Sequence, residues 1–92
     1  HPLPASCLLH QNYPNPFNPT TTISFELPRP MTVSLIVTDA LGREVTRVLE
    51  RANRRRGLNT IRFDARRIPS GVYFYRIETS DGVFVRKMVL MR

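Results

Sequence analysis

Gln11-Asn12-Tyr13-Pro14-Asn15-Pro16-Phe17-Asn18-Pro19-Thr20-Thr21-Thr22-Ile23-Ser24-Phe25-Glu26-Leu27 changes character at its midpoint. The first half sets three prolines and three asparagines around two aromatics. Proline fixes φ and moves the preceding residue out of the helical region, while asparagine side chains support turns. No helix passes through such a segment. The second half alternates polar and apolar residues, with Ile23, Phe25 and Leu27 on one face, as a half-buried strand requires. A disordered leader has no use for Tyr13 and Phe17. Residues Asn12, Tyr13, Pro14, Asn15, Pro16, Phe17, Asn18 and Pro19 therefore read as a structural clasp that leads into a β domain.

Strand signals recur downstream. Pro28-Arg29-Pro30 ends the first strand, because proline cannot donate to a ladder. Met31, Val33, Leu35 and Val37 share the next face, with Thr32, Ser34 and Thr38 outward; Ile36 breaks the pattern and implies partial cover on the second side. Asp39-Ala40-Leu41-Gly42 is a turn. Arg43 to Arg51 reads as the returning strand, although Val45, Val48 and Leu49 do not alternate strictly and also fit a short amphipathic helix; recurring Val and Thr favour the strand. Ala52 to Gly57 is a polar, basic loop. Leu58 to Asp64 alternates, with Ile61 and Phe63 inward, and Ala65 to Ser70 is a connector. Val72 to Thr79 carries Tyr73, Tyr75 and Ile77 on one face and Val72, Phe74 and Arg76 on the other, as a central strand covered on both sides would. Asp81-Gly82 is a strong hairpin signal before the last strand, Phe84 to Met91. Six strands at this spacing predict an all-β, antiparallel, immunoglobulin-like sandwich, with the clasp adding a seventh strand or covering an edge.

A chain of 92 residues supports one such core. Residues 1–10 read as a linker from upstream cargo and 11–92 as the single domain. His1 in place of Met suggests a piece of something longer, and the chain ends at Arg92 with no tail. No apolar run approaches the length of a membrane span. Cys7 is alone and upstream of the clasp, a spare thiol.

The net charge is +7, and thirteen of the fourteen basic residues are Arg. An anionic partner or an Arg-rich proteome each account for this. The one dense run, Arg54-Arg55-Arg56, reads as a solvated hairpin tip. No nucleophile, base or metal set is apparent: His1 and His10 precede the fold, and Asp39, Asp64 and Asp81 fall at turns. The protein is expected not to be an enzyme and to need no cofactor or metal. The aromatics sit mostly at inward strand positions, so no nucleic-acid partner is expected.

Four segments in order carry a resemblance: Leu9 to Leu27, with Gln11 to Ile23 inside it; Val37 to Val45; Ser70 to Ile77; and Arg86 to Arg92. Together they resemble the type A C-terminal sorting domains of the type IX secretion system, over nearly the whole chain from about Leu9. The resemblance implies an immunoglobulin-type sandwich related to a domain of flagellar hook-capping proteins, in Bacteroidota-like bacteria. It implies a non-catalytic secretion signal that directs cargo from the periplasm through the outer membrane to the cell surface or beyond. It implies as partners the outer-membrane translocon and a sortase-like surface cysteine protease that removes the domain, with anionic lipopolysaccharide joined to the cargo. The family's G-x-Y element matches Gly71 and Tyr73, and its terminal basic element matches Lys87, Leu90 and Arg92, which makes these five the recognition candidates. Gly71, Tyr73 and Leu90 also suit purely structural roles. A competing reading is an immunoglobulin-like accessory module that holds glycan or anionic cell envelope through Arg.

Overall fold

The computed structural model describes residues 6–92. Seven strands follow in order: β1 (Leu8–Leu9), β2 (Thr20–Leu27), β3 (Met31–Asp39), β4 (Glu44–Arg54), β5 (Gly57–Asp64), β6 (Gly71–Thr79) and β7 (Gly82–Leu90). They form two antiparallel sheets, β1-β2-β5 and β4-β3-β6-β7, packed face to face as a sandwich. The all-β immunoglobulin-like class expected above is the one found.

The alternation of β2 does what its pattern requires. Ile23, Phe25 and Leu27 are fully buried against Val33, Leu35 and Val37 of β3 and Tyr75 and Ile77 of β6. Full burial of side chains of this size contributes about 1.5–3 kcal/mol each. Ile36, on the outer face of β3, is also buried. Its cross-strand neighbours are Arg47 and Arg76. Long Arg stems cover an apolar side chain while their heads reach water, and Arg47 and Arg76 turn those heads to Glu44 and Glu78.

Four expectations change. Cys7, expected as a spare thiol, is buried in the core, with its Sγ 3.7 Å from Met31 Sδ. Leu8–Leu9 pairs with Glu26 and Phe25 as β1, so the stretch expected as linker joins the sandwich from Cys7 onward; residues 1–5 of it lie outside the described residues. The loop expected over Ala52 to Gly57 shrinks to Arg55 and Arg56, because β4 runs on to Arg54. Finally, β6 is central within its sheet, but no layer of the described residues covers its second face: Val72 is 41% exposed and Phe74 and Arg76 are half-buried.

The missing alternation in β4 has a physical cause. Between Met31↔Arg54 and Thr38↔Glu44 the β3–β4 register slips three times. Each bulge reverses which parity of residue faces the core. Arg51, at φ 44°, sits within this irregular stretch, and its N–H is satisfied by Ser34 Oγ at 3.1 Å. The turn before β4 is ordinary: Gly42 takes φ 85°, open to glycine without steric cost, and Asp39 accepts from the N–H groups of Leu41 and Arg43. Burial pushes the Asp39 carboxyl up, but those bonds and the Arg43 guanidinium hold it below its ordinary value.

Candidate functional site

The clasp and the last strand meet at one edge of the sandwich. In the four-stranded sheet β7 is the edge strand, and an uncovered edge exposes a row of unpaired N–H and C=O groups. The clasp covers the C-terminal half of that row. The Phe17 N–H donates to the Val89 carbonyl at 3.0 Å, and the Met91 N–H donates to the Phe17 carbonyl at 3.0 Å. Asn15 Oδ1 accepts the Val89 N–H at 2.9 Å, and Gln11 Nε2 donates to the Lys87 carbonyl at 2.7 Å.

The clasp holds its own shape through buried polar groups. Asn12 is 2% exposed. Its Nδ2 donates to the Pro14 carbonyl and to Thr21 Oγ1, and the Thr21 hydroxyl donates to the same Pro14 carbonyl. Phe17 is buried against Phe63 with ring centroids 6.3 Å apart. The bonds preceding Pro14, Pro16 and Pro19 are all cis. Tyr13, the other clasp aromatic, differs from Phe17. Its backbone bridges Thr22, yet its side chain is 81% exposed. The expected edge cover is present, while the seventh strand comes from Leu8–Leu9, ahead of the clasp.

The five recognition candidates divide by accessibility. Gly71 pairs with Leu90 across the β6–β7 ladder, and at φ 155° its need is conformational, since a Cβ there meets nothing nearer than the Tyr73 ring at 3.9 Å. Tyr73 is buried, and its hydroxyl donates to the Pro69 carbonyl at 2.5 Å. Leu90 is buried in the core. Nothing docking on the folded domain touches either of those side chains. Arg92 points back to the β5–β6 connector: its Nη2 donates to the Ala65 and Ile68 carbonyls, both at 2.5 Å. Lys87 is exposed, pairs in register with Phe74, and its ammonium has no partner among the described residues. Of the five, Lys87 alone offers an unengaged charge.

Sequence reasoning missed Arg86 and Asn59. Arg86 Nε donates to the Leu9 carbonyl at 2.9 Å, tying β7 to β1 across a groove of about 360 Å³ lined by Cys7, Leu8, Leu9, Phe84, Val85 and Arg86. Asn59, inward-facing on β5, is buried. Its Nδ2 donates to the Arg55 and Gly57 carbonyls, and its Oδ1 accepts Arg54 Nε at 2.9 Å. An asparagine at an inward strand position beside a basic turn was the available signal.

Among the described residues no three His, Cys, Asp or Glu side chains stand together as metal ligands, and no helix is long and apolar enough to cross a membrane.

The family model described as secretion system C-terminal sorting domain matches residues 11–91. Neither curated proteins nor solved structures returned a match.

Proposed function

The chain belongs to the secretion-system C-terminal sorting domain family, and on that premise we propose that it is a folded address: a rigid β-sandwich at the end of a type IX cargo that the outer-membrane translocon reads and a surface cysteine protease then removes. The match to residues 11–91, spanning clasp to last strand, is the observation that carries this reading. Domains of this kind serve transport to the surface or secretion and are in general non-catalytic. The finer steps are our proposal: passage through the periplasm, cleavage near the start of the domain, and attachment of cargo to anionic lipopolysaccharide.

The geometry supports recognition of a folded end over recognition of a loose peptide. Phe17 and Arg92 pin β7 and the last residue to the body of the domain. A receptor that meets a preformed surface spends less of its interaction energy on ordering it. Lys87 is the group we assign to charge readout, since Arg92 is already engaged. The test fuses His1–Arg92 to a reporter with its own inner-membrane export signal, in a host with the system. Delivery to the surface is expected, with loss on removal of Gly82–Arg92. Delivery that survives that truncation overturns the reading.

The accessory-module reading has one observation in its favour. At the β4–β5 hairpin Asn59 holds Arg54 Nε, which leaves the outer guanidinium donors without a partner among the described residues, at a groove of about 300 Å³ that Arg54 lines with Asn53, Arg55 and Asn59. Such a fork suits carboxylate or phosphate. Saturable retention on lipopolysaccharide or acidic polysaccharide, lost in Arg54→Gln, supports this role; retention that salt abolishes equally in both proteins sinks it.

A further inference from the structure

The clasp leaves half of the β7 edge open. Val89 directs both its N–H and its carbonyl away from β6, and Lys87 directs its carbonyl the same way. Backbone direction alternates along an antiparallel strand, so Val85 and Val83 also point outward. Neither has a hydrogen-bond partner on that side among the described residues. Their side chains, on the outer face, are 55% and 58% exposed. Leu8, which lines a groove together with Val85, is exposed as well. Exposed apolar side chains beside an unpaired backbone row mark a protein contact.

Resting on the sorting reading above, we propose that the open edge from Val83 to the Lys87 N–H receives an extended segment of the secretion machinery as an added strand, apolar opposite Val83 and Val85 and acidic opposite Lys87. Strand addition uses the row of main-chain donors and acceptors for affinity and the alternating side chains for specificity. The clasp already exploits this chemistry on the adjoining half, where Phe17 bridges Leu90; the partner continues that row. Its acidic character follows from the local charges. Lys87 is unpaired, Arg86 is held by a neutral carbonyl, and Asp81, the acid nearest the hairpin, is bound by Arg29.

Val85→Pro in the full chain is the test. The lost N–H makes no bond among the described residues, so the fold is expected to survive while the edge loses a donor. One backbone bond lost to a partner corresponds to about a fivefold fall in affinity, and reporter delivery is expected to fall to match. Val85→Thr, which keeps the N–H, delivers normally. Should Val85→Pro fail to fold, the Val83→Lys, Val85→Lys double variant decides by the same criterion, since both side chains lie outside the core. Normal delivery by the folded edge variants, with delivery still abolished by removal of the whole domain, overturns the edge proposal and leaves the sorting reading standing. Delivery without the domain overturns the sorting reading itself. A concentration-dependent dimer that Val85→Pro dissolves without affecting delivery assigns the edge to a second copy and likewise overturns the proposal.

Discussion

Phe17 and Leu90 form a parallel bridge, in which both backbone groups of Phe17 are bonded to the residues flanking Leu90. The first segment of the family match is thereby a structural part of the last strand. Nothing in the residue-to-residue pattern of either segment announces the other.

Replacing Phe17 by Ala tests that coupling. Phe17 is 2% exposed and packs on Phe63. Truncating a buried Phe costs about 3–5 kcal/mol, a large fraction of the total for a small domain, about 5–15 kcal/mol. Urea unfolding should show a loss in this range, and the Val89 and Met91 region should gain amide exchange. A loss below about 1 kcal/mol, the usual range of surface changes, means that the clasp merely lies on the sandwich.

Much of the sandwich was legible because period-two patterning reports burial directly. Ile23, Phe25 and Leu27, and Tyr73, Tyr75 and Ile77, each declared their inward face, and Gly42 and Asp81-Gly82 declared their turns. β4 was only half legible, since three register slips break the very periodicity that identifies a strand. Leu8–Leu9 was illegible for a different reason, because two residues carry no period. Candidate site residues were harder still. Sequence resemblance singled out Tyr73, Leu90 and Arg92 without distinguishing a side chain that faces a receptor from one that holds the frame. That distinction depends on tertiary partners: the Pro69 carbonyl for Tyr73, and the Ala65 and Ile68 carbonyls for Arg92.

Arg92 is expected to matter to stability. One guanidinium nitrogen, Nη2, serves two neutral carbonyls, and its backbone N–H donates to Ser70 Oγ at 3.1 Å. A Lys ammonium on its flexible, shorter stem is not pre-set at that point, so Arg92→Lys should lose about 1 kcal/mol. The acceptors are carbonyls, so the loss should persist between low and high salt, where a surface ion pair fades. Urea midpoints at two ionic strengths decide it. An unchanged midpoint for Arg92→Lys makes the residue free for a receptor after all.

Tyr75 sets an alkaline limit. Burial pushes its phenol from the ordinary 10.0 up to about 12, against the opposing pull of the Asn12 backbone hydrogen bond and the Arg86 charge. Its hydroxyl donates to the His10 carbonyl at 2.6 Å. The folded state therefore keeps this proton after the unfolded chain has released it. The associated stability is whole below pH 10 and is lost as pH rises towards 12. Tyr75→Phe should lower stability near neutral pH by about 1 kcal/mol through the lost hydrogen bond, and should lose stability less steeply than the parent over that alkaline window. Parallel slopes for the two proteins contradict the assignment.

Asn12 and Thr21 act as one unit. Both are 2% exposed, Asn12 Nδ2 donates to Thr21 Oγ1 at 3.0 Å, and both donate to the Pro14 carbonyl. Asn12→Ala leaves the buried Thr21 hydroxyl without its donor and should cost about 2 kcal/mol; Thr21→Val takes from Asn12 its acceptor and should cost about 1–2 kcal/mol. Once either partner is gone, removal of the other frees no further buried polar atom of the pair. The double variant should therefore be more stable than the sum of the single losses implies, by about 1 kcal/mol, in the range found for residues in direct contact. A urea double-mutant cycle measures the difference. Strict additivity would show that each residue serves the Pro14 carbonyl independently, and the clasp would then be a set of separate contacts with no shared network to make it rigid.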